Sequence, residues 1–175
     1  MGDQRAGELL LPHYINKDFG PLVEFCRSAQ VFQDSPFSFP ETFKHLDAAF
    51  PGSKFILSVR DSSEQWYNSL IRFHSKLSPG RIPTVTELQN ADYVYKGWMW
   101  QAHHAVFNTP DDDPYNKEIL IGNYERHNRD VIEYFKGRDT LLIINVSQAP
   151  SYRRFCKFIG ADPLYDQFPW ENKTI

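Results

Sequence analysis

The chain has 175 residues, 41% of them hydrophobic and 23% charged, and its formal net charge at pH 7 is −3. These values are typical of one globular domain and argue against a general electrostatic attraction to nucleic acid. The nine glycines never lie closer than five positions apart, which excludes a dense glycine-rich phosphate loop. We therefore predict a single domain over residues 1–175 that does not bind nucleic acid.

Signals for processing, export and membrane insertion are not found. Residues 1–11 carry three charged side chains, so we predict no signal peptide. The longest apolar run, residues 141–144, is too short to span a membrane. The two cysteines, Cys26 and Cys156, are too few for a disulfide framework and are expected to be free thiols. The sequence thus predicts a soluble, cytoplasmic protein without membrane contacts.

The first part of the chain is predicted to alternate between helices and strands. Apolar spacing predicts helices over residues 21–30 and 41–50, and a short strand over residues 31–33 ends before Asp34. The clearest strand covers residues 54–59. Its almost continuous apolar run is typical of a strand buried on both faces in a parallel sheet.

A helix is predicted to begin directly after Arg60, which ends this strand. Asp61 with Glu64, or Ser62 with Gln65, can form a capping box at its start. Its apolar residues recur at helical spacing and are expected to face the core: Trp66, Leu70, Phe73 and Leu77.

The second part of the chain repeats this alternation. Helices are predicted over residues 87–107 and 117–135, a second apolar strand over 140–146, and a final helix over 150–159 that ends at Gly160. Alternating helices and strands indicate an α/β fold with a parallel sheet and right-handed crossovers.

Ligands of parallel α/β sheets bind at the carboxyl ends of the strands, which directs attention to Asp34, Arg60 and residues 145–147. Arg60, beside a helix N-terminus, could bind phosphate oxygens, and Ser69, two turns further, could add a hydroxyl donor. The alternative is that Arg60 pairs with a structural carboxylate and that Ser69 is a solvated helix residue.

Other candidate residues also have two interpretations. Asp34 could act as a general base toward an acceptor hydroxyl, or it is a turn residue before Pro36. The aromatic residues within 93–100 could form part of the core or an apolar acceptor pocket. The His103–His104 pair and the aspartates at 111–113 lack the spacings of zinc and calcium ligands, so no metal is expected.

Several blocks of the chain, in this order, resemble the cytosolic-type sulfotransferase family, which uses 3′-phosphoadenosine 5′-phosphosulfate (PAPS). The resemblance covers most of residues 20–172. The blocks are Phe32-Gln33-Asp34-Ser35-Pro36-Phe37, residues 46–61, Glu64-Gln65-Trp66-Tyr67-Asn68-Ser69-Leu70, Tyr124-Glu125-Arg126-His127-Asn128, the strand at 141–146, residues 155–160, and Phe168-Pro169-Trp170-Glu171-Asn172.

This resemblance implies a P-loop NTPase-like fold, a three-layer parallel sheet flanked by helices. It also implies that Arg60 and Ser69 bind the 3′-phosphate of the nucleotide. The interval between them is one residue longer than is usual in the family, so Asn68 is a further candidate. Asp34 stands where the family has its catalytic base, which is often a histidine.

The sequence departs from the family at its start. The family opens with a strand and a loop whose lysine holds the 5′-phosphosulfate, and no such segment is found here. The resemblance therefore implies a domain that lacks the first strand and this loop. We expect a gap in the sheet between the strands at 54–59 and 140–146, which a second copy could fill in a homo-oligomer.

The function implied is transfer of a sulfuryl group from PAPS to a hydroxyl or amine of a small-molecule acceptor, with full activity of this form not expected. One alternative is a non-catalytic nucleotide-binding or interaction remnant of a sulfotransferase. Another is a nucleotide kinase-like phosphotransferase, which the lack of a Walker lysine disfavours.

Overall fold

A computed structural model describes residues 2–169 of the chain. The chain divides into two compact units, each built from two separate stretches of sequence. Unit 1 comprises Met1–Pro51 and Pro83–Asn123, and unit 2 comprises Gly52–Ile82 and Tyr124–Ile175. Helices and a small parallel sheet confirm the α/β class. The prediction of a single domain stays a prediction.

The elements of the described residues are mostly short helices. In chain order they are α1 (Gln4–Glu8), α2 (Leu11–Ile15), α3 (Gly20–Phe25), α4 (Thr42–Ala49), β1 (Phe55–Ser58), α5 (Ser63–His74), α6 (Val85–Asn90), α7 (Trp98–Phe107), α8 (Lys117–Tyr134), β2 (Leu141–Ile144) and α9 (Pro150–Ile159).

Unit 1 has an aromatic core. The buried cluster joins α2, α3 and α7 and contains Leu11, Tyr14, Phe19, Leu22, Trp98 and Ala102. The ring of Tyr14 meets the rings of Phe19 and Phe39 edge-on, an arrangement that adds about 0.5–1.5 kcal/mol per pair beyond the buried area. Burial, assisted by the charge of Glu41, raises the pKa of Tyr14 to about 12. Because Trp98 is part of the buried cluster, it belongs to the core. The sequence had left open whether the aromatic residues within 93–100 form part of the core or an acceptor pocket.

A buried carboxylate anchors α1 in the same unit. Glu8 is only 3% exposed. It accepts a hydrogen bond from the Tyr93 hydroxyl at 3.1 Å and pairs with Arg5 at 3.3 Å. Its backbone carbonyl accepts the indole N–H of Trp98 at 2.9 Å. Partners of this kind compensate the cost of burying a charge, so α1 is held to the chain around residues 93–98.

The sheet of unit 2 has no gap between the two strands where the sequence analysis expected one. β1 and β2 are parallel and pair directly, from Phe55 opposite Leu141 to Ser58 opposite Ile144. The N–H of Phe55 donates to the Thr140 carbonyl at 2.7 Å. The gap predicted between these strands is therefore wrong, because the two apolar strands satisfy each other's backbone groups.

Burial in unit 2 also differs from the prediction. Ile56 in β1 is 44% exposed whereas Leu57 is buried, so this strand is not covered on both faces. No residue of α5 is buried, and Phe73, in the apolar stripe expected to face the core, is 60% exposed. On the covered side, the ring of Phe55 packs against the ring of Phe135, with the ring centroids 4.8 Å apart.

Two further predictions fail for local reasons. Residues 31–33 form no strand. The helix predicted over 21–30 ends at Phe25, because the N–H and hydroxyl of Ser28 both donate to the Phe25 carbonyl in place of a continued helix.

The helix predicted over residues 87–107 is two helices. α6 ends at Asn90, and α7 begins only at Trp98 after a turn. Gly97 makes this turn with a φ of 85°, a left-handed conformation that glycine adopts at little cost.

The other predicted elements agree with the structure, whereas α1 and α2 were not predicted. The structure confirms, within a few residues, the strands at 54–59 and 140–146 and the helices over 41–50, 117–135 and 150–159. Gly160 ends α9 with a φ of 75°. None of the helices within residues 2–169 is long and apolar enough to cross a membrane.

Candidate functional site

The carboxyl ends of β1 and β2 bring polar residues together in unit 2. Arg60 and Asp61 follow β1, and Asn145 follows β2. The backbone N–H of Arg60 donates to the hydroxyl of Tyr124 at 3.0 Å. The Tyr124 ring stacks on Trp66, with centroids 4.6 Å apart and planes 14° apart. The chain is thus held where β1 turns into α5.

A carboxylate and an amide connect the two strand ends. Asn145 is 6% exposed, and its Nδ2 donates to Asp61 Oδ1 at 2.6 Å. Gln148 Nε2 lies 3.4 Å from the same oxygen. The Oδ1 of Asn145 accepts the N–H and the hydroxyl of Ser147 at 3.1 and 2.7 Å. The Asp61 carboxylate is therefore held against the end of β2.

At the start of α5, one half of the capping box predicted for Ser62 and Gln65 is present. Ser62 Oγ accepts the N–H of Gln65 at 3.1 Å. The side chain of Gln65 accepts the N–H of Asp61 at 2.9 Å, whereas a full capping box would use the N–H of Ser62. Both bonds set the helix N-terminus directly after Arg60.

The guanidinium of Arg60 is exposed and makes no hydrogen bond or ion pair with another residue in the part of the chain that the structure describes. Asp61, the carboxylate next to it in sequence, is bonded to amides instead. The structural carboxylate considered as a partner of Arg60 is therefore not found within residues 2–169. A cationic group beside a helix N-terminus is suited to bind an anion.

Ser69 and Asn68 lie further along α5. Ser69 is about 9 Å along the helix axis from Ser63, its first residue. Its Oγ donates to the Gln65 carbonyl at 2.8 Å, and Arg72 donates to it at 3.4 Å. Asn68 is exposed. The structure places both on the helix that Arg60 precedes, and their binding of a phosphate stays a prediction.

Asp34 lies in unit 1, whereas the other predicted site residues lie in unit 2. Because residues 31–33 are not a strand, the prediction that Asp34 ends one is wrong. Asp34 adopts a left-handed φ of 60° in an exposed turn, and its Oδ1 accepts the N–H of Ser35 at 3.0 Å. Its carbonyl accepts the N–H of Ser38. Asp34 is therefore a turn residue, as one of its two interpretations predicted. Its function as a general base stays a prediction.

No metal site is found in the described part of the chain. Residues 2–169 contain no group of three or more His, Cys, Asp or Glu side chains placed to hold a metal ion. His103 is buried, and its Nε2 lies 2.6 Å from the Pro114 carbonyl. This bond places His103 in the internal structure of unit 1.

The family model of the sulfotransferase domain matches residues 7–175. The chain belongs to the sulfotransferase family. No curated protein and no solved structure gives a significant match. The match confirms the resemblance seen in the sequence, and for this sulfotransferase it indicates sulfuryl transfer in general.

Two contacts of this sulfotransferase were not predicted from its sequence. Tyr124 and Trp66 stack although they lie on different helices, and Asn145 bonds Asp61 across the sheet. The rule that ligands bind at the carboxyl ends of parallel strands directed attention to residues 145–147, but it did not identify Asp61 as the partner of Asn145. The stack had no sequence signal, because both rings also fit ordinary helical core positions.

Proposed function

We propose that this sulfotransferase uses PAPS as its donor and that Arg60 binds the 3′-phosphate of the nucleotide. The observation that carries this proposal is the exposed guanidinium at the end of β1, without a partner among the described residues. A guanidinium offers two parallel N–H donors to phosphate oxygens. The first turn of α5 adds the positive end of its helix dipole.

The reaction is direct transfer to a hydroxyl or amine of a small-molecule acceptor. The acceptor atom forms a bond to sulfur while the bond between sulfur and the 5′-phosphate oxygen breaks. The products are the sulfated acceptor and 3′-phosphoadenosine 5′-phosphate (PAP). Asp34 receives the proton that the acceptor loses, since its carboxylate is exposed and can accept one.

Ser69 and Asn68 contribute less to this nucleotide site than Arg60. The hydroxyl proton of Ser69 is engaged by the Gln65 carbonyl, so donation to a phosphate requires that this bond be exchanged. The P-loop-like three-layer sheet belongs to the same proposal, and it is supported by the parallel pairing of β1 and β2.

Binding of PAP tests the nucleotide site. The wild-type chain should be stabilised against thermal unfolding by PAP, and Arg60→Ala should lose about 1.5–3 kcal/mol of binding free energy, as expected for a charged hydrogen bond. Arg129→Ala, which removes another exposed arginine of unit 2, is the matched control and should bind PAP normally. Equal stabilisation of wild type and Arg60→Ala would remove the assignment.

Transfer of labelled sulfate from PAPS to a panel of phenols, alcohols and amines tests the reaction. Sulfated product that is lost in Asp34→Asn supports the mechanism, since the amide cannot accept the proton. Binding of PAP without any transfer would instead identify a non-catalytic nucleotide-binding protein.

A further inference from the structure

We propose that Asn145 is a positioning residue that holds the Asp61 carboxylate away from the Arg60 guanidinium and thereby keeps Arg60 available for the nucleotide. The proposal rests on the nucleotide site proposed above and names two residues that control its strength. Neither residue is proposed to touch the nucleotide.

Asp61 is the natural competitor of an anionic ligand. It follows Arg60 directly, and an aspartate so close can pair with a guanidinium as a phosphate does. In the structure that pair is absent, because Asp61 Oδ1 accepts from Asn145 and Gln148. The backbone of Asp61 is held as well, since its N–H donates to Gln65.

The orientation of the Asn145 amide follows from its other bonds. Its Oδ1 accepts two donors from Ser147, the N–H and the hydroxyl. Only the Nδ2 group can then face Asp61, and it does so at 2.6 Å. Because Asn145 is 6% exposed, water cannot easily replace this donor. Ser147 thus sets the orientation of the Asn145 amide, and the amide in turn holds the Asp61 carboxylate.

The variant Asn145→Asp tests this arrangement with almost no change in shape. Two carboxylates would then face each other, and Asp61 would be repelled from β2 and become available to Arg60. We expect PAP affinity to fall about two- to fivefold, the effect of one competing ion pair near a surface. Asp61→Asn alone keeps an acceptor for Asn145 and removes the competing charge, so it should bind PAP at least as well as wild type.

The exchange variant Asn145→Asp/Asp61→Asn decides between positioning and a merely structural effect. It restores an amide–carboxylate bond between the strand ends and leaves no carboxylate beside Arg60, so PAP affinity should return to the wild-type value. A second pair, Asn145→Ala and Asn145→Ala/Asp61→Ala, separates affinity from stability. The bond is missing in both, but only the first retains the competitor, so the second should regain PAP affinity while its melting temperature stays low.

Calorimetric titration with PAP and thermal unfolding of each variant provide the two readouts. Recovery of affinity in both double variants supports the proposal. If Asn145→Asp binds PAP as wild type does, or if neither double variant recovers, Asn145 does not position Asp61 and the inference is overturned while the nucleotide site stands. A wild-type chain that binds no PAP overturns both.

Discussion

His103 is buried on α7, and its environment favours the neutral imidazole. The Nε2 atom faces the Pro114 carbonyl at 2.6 Å, and because a carbonyl only accepts, this nitrogen carries the proton. Burial lowers the pKa of His103 below 6.5, against the smaller opposing effect of the Pro114 hydrogen bond. In the unfolded chain the imidazole is free to take up a second proton.

This residue predicts a pH dependence of stability. Because the folded-state pKa is depressed, the unfolded chain binds more protons below pH 6.5, and stability is lost as pH falls through that value. The free energy of unfolding should therefore decline less in His103→Gln than in wild type between about pH 7.5 and about pH 5.5. Urea denaturation at each pH measures it, and parallel curves would contradict the prediction.

Two glycines show how the same residue type has opposite effects at the end and in the interior of a helix. Gly160 ends α9 with a φ of 75°, a left-handed conformation that a side chain disfavours. Gly122 lies within α8 without a positive φ. A Cβ added at either position would meet no atom within 4 Å. Backbone conformation therefore decides the effect of substitution at both.

Alanine at these positions should change stability in opposite directions. Gly160→Ala should lower the free energy of unfolding by about 1–2 kcal/mol, and Gly122→Ala should raise it by about 0.5–1 kcal/mol. Chemical denaturation of both variants beside wild type measures the difference. A loss of stability in Gly122→Ala would show that its helical backbone is constrained by something other than helix propensity.

At the scale of the whole molecule, each unit is assembled from distant stretches of sequence. The sheet of unit 2 joins residues 55–58 to residues 141–144, and the second stretch of unit 1, Pro83–Asn123, lies between them along the chain. Closing so long a loop costs entropy, and buried apolar side chains of the paired strands offset it. Ile144 is 3% exposed and Ile56 is 44% exposed, so the two isoleucines should contribute unequally.

The two isoleucines form a matched pair for testing this contribution. Ile144→Ala should lower the free energy of unfolding by about 2–4 kcal/mol, because it leaves a cavity in a packed region. Ile56→Ala removes the same atoms from a half-exposed site and should cost about 1 kcal/mol or less. Equal losses would indicate that the outer face of β1 is covered.

Local pattern predicted those features that depend on neighbouring residues. The two apolar strands and the end of α9 at Gly160 follow from apolar periodicity and a glycine stop, which act within a few residues. Ordered sequence blocks likewise indicated the sulfotransferase family, which the domain match confirms. Arg60 was identified because it is a charge at the end of an apolar strand.

Tertiary structure decided what depends on residues far apart in sequence. Pairing of β1 with β2 closes the gap that the family comparison predicted, and no local pattern encodes which strands become neighbours. The bond from Asn145 to Asp61 spans 84 positions. By itself the sequence determined the cation, the helix that follows it and the family. Only the fold placed the amide of Asn145 beside Asp61. Because hydrogen bonds act only between groups that the fold brings close together, Asp61 bonds Asn145 and Gln148, and Arg60 has no partner among the described residues.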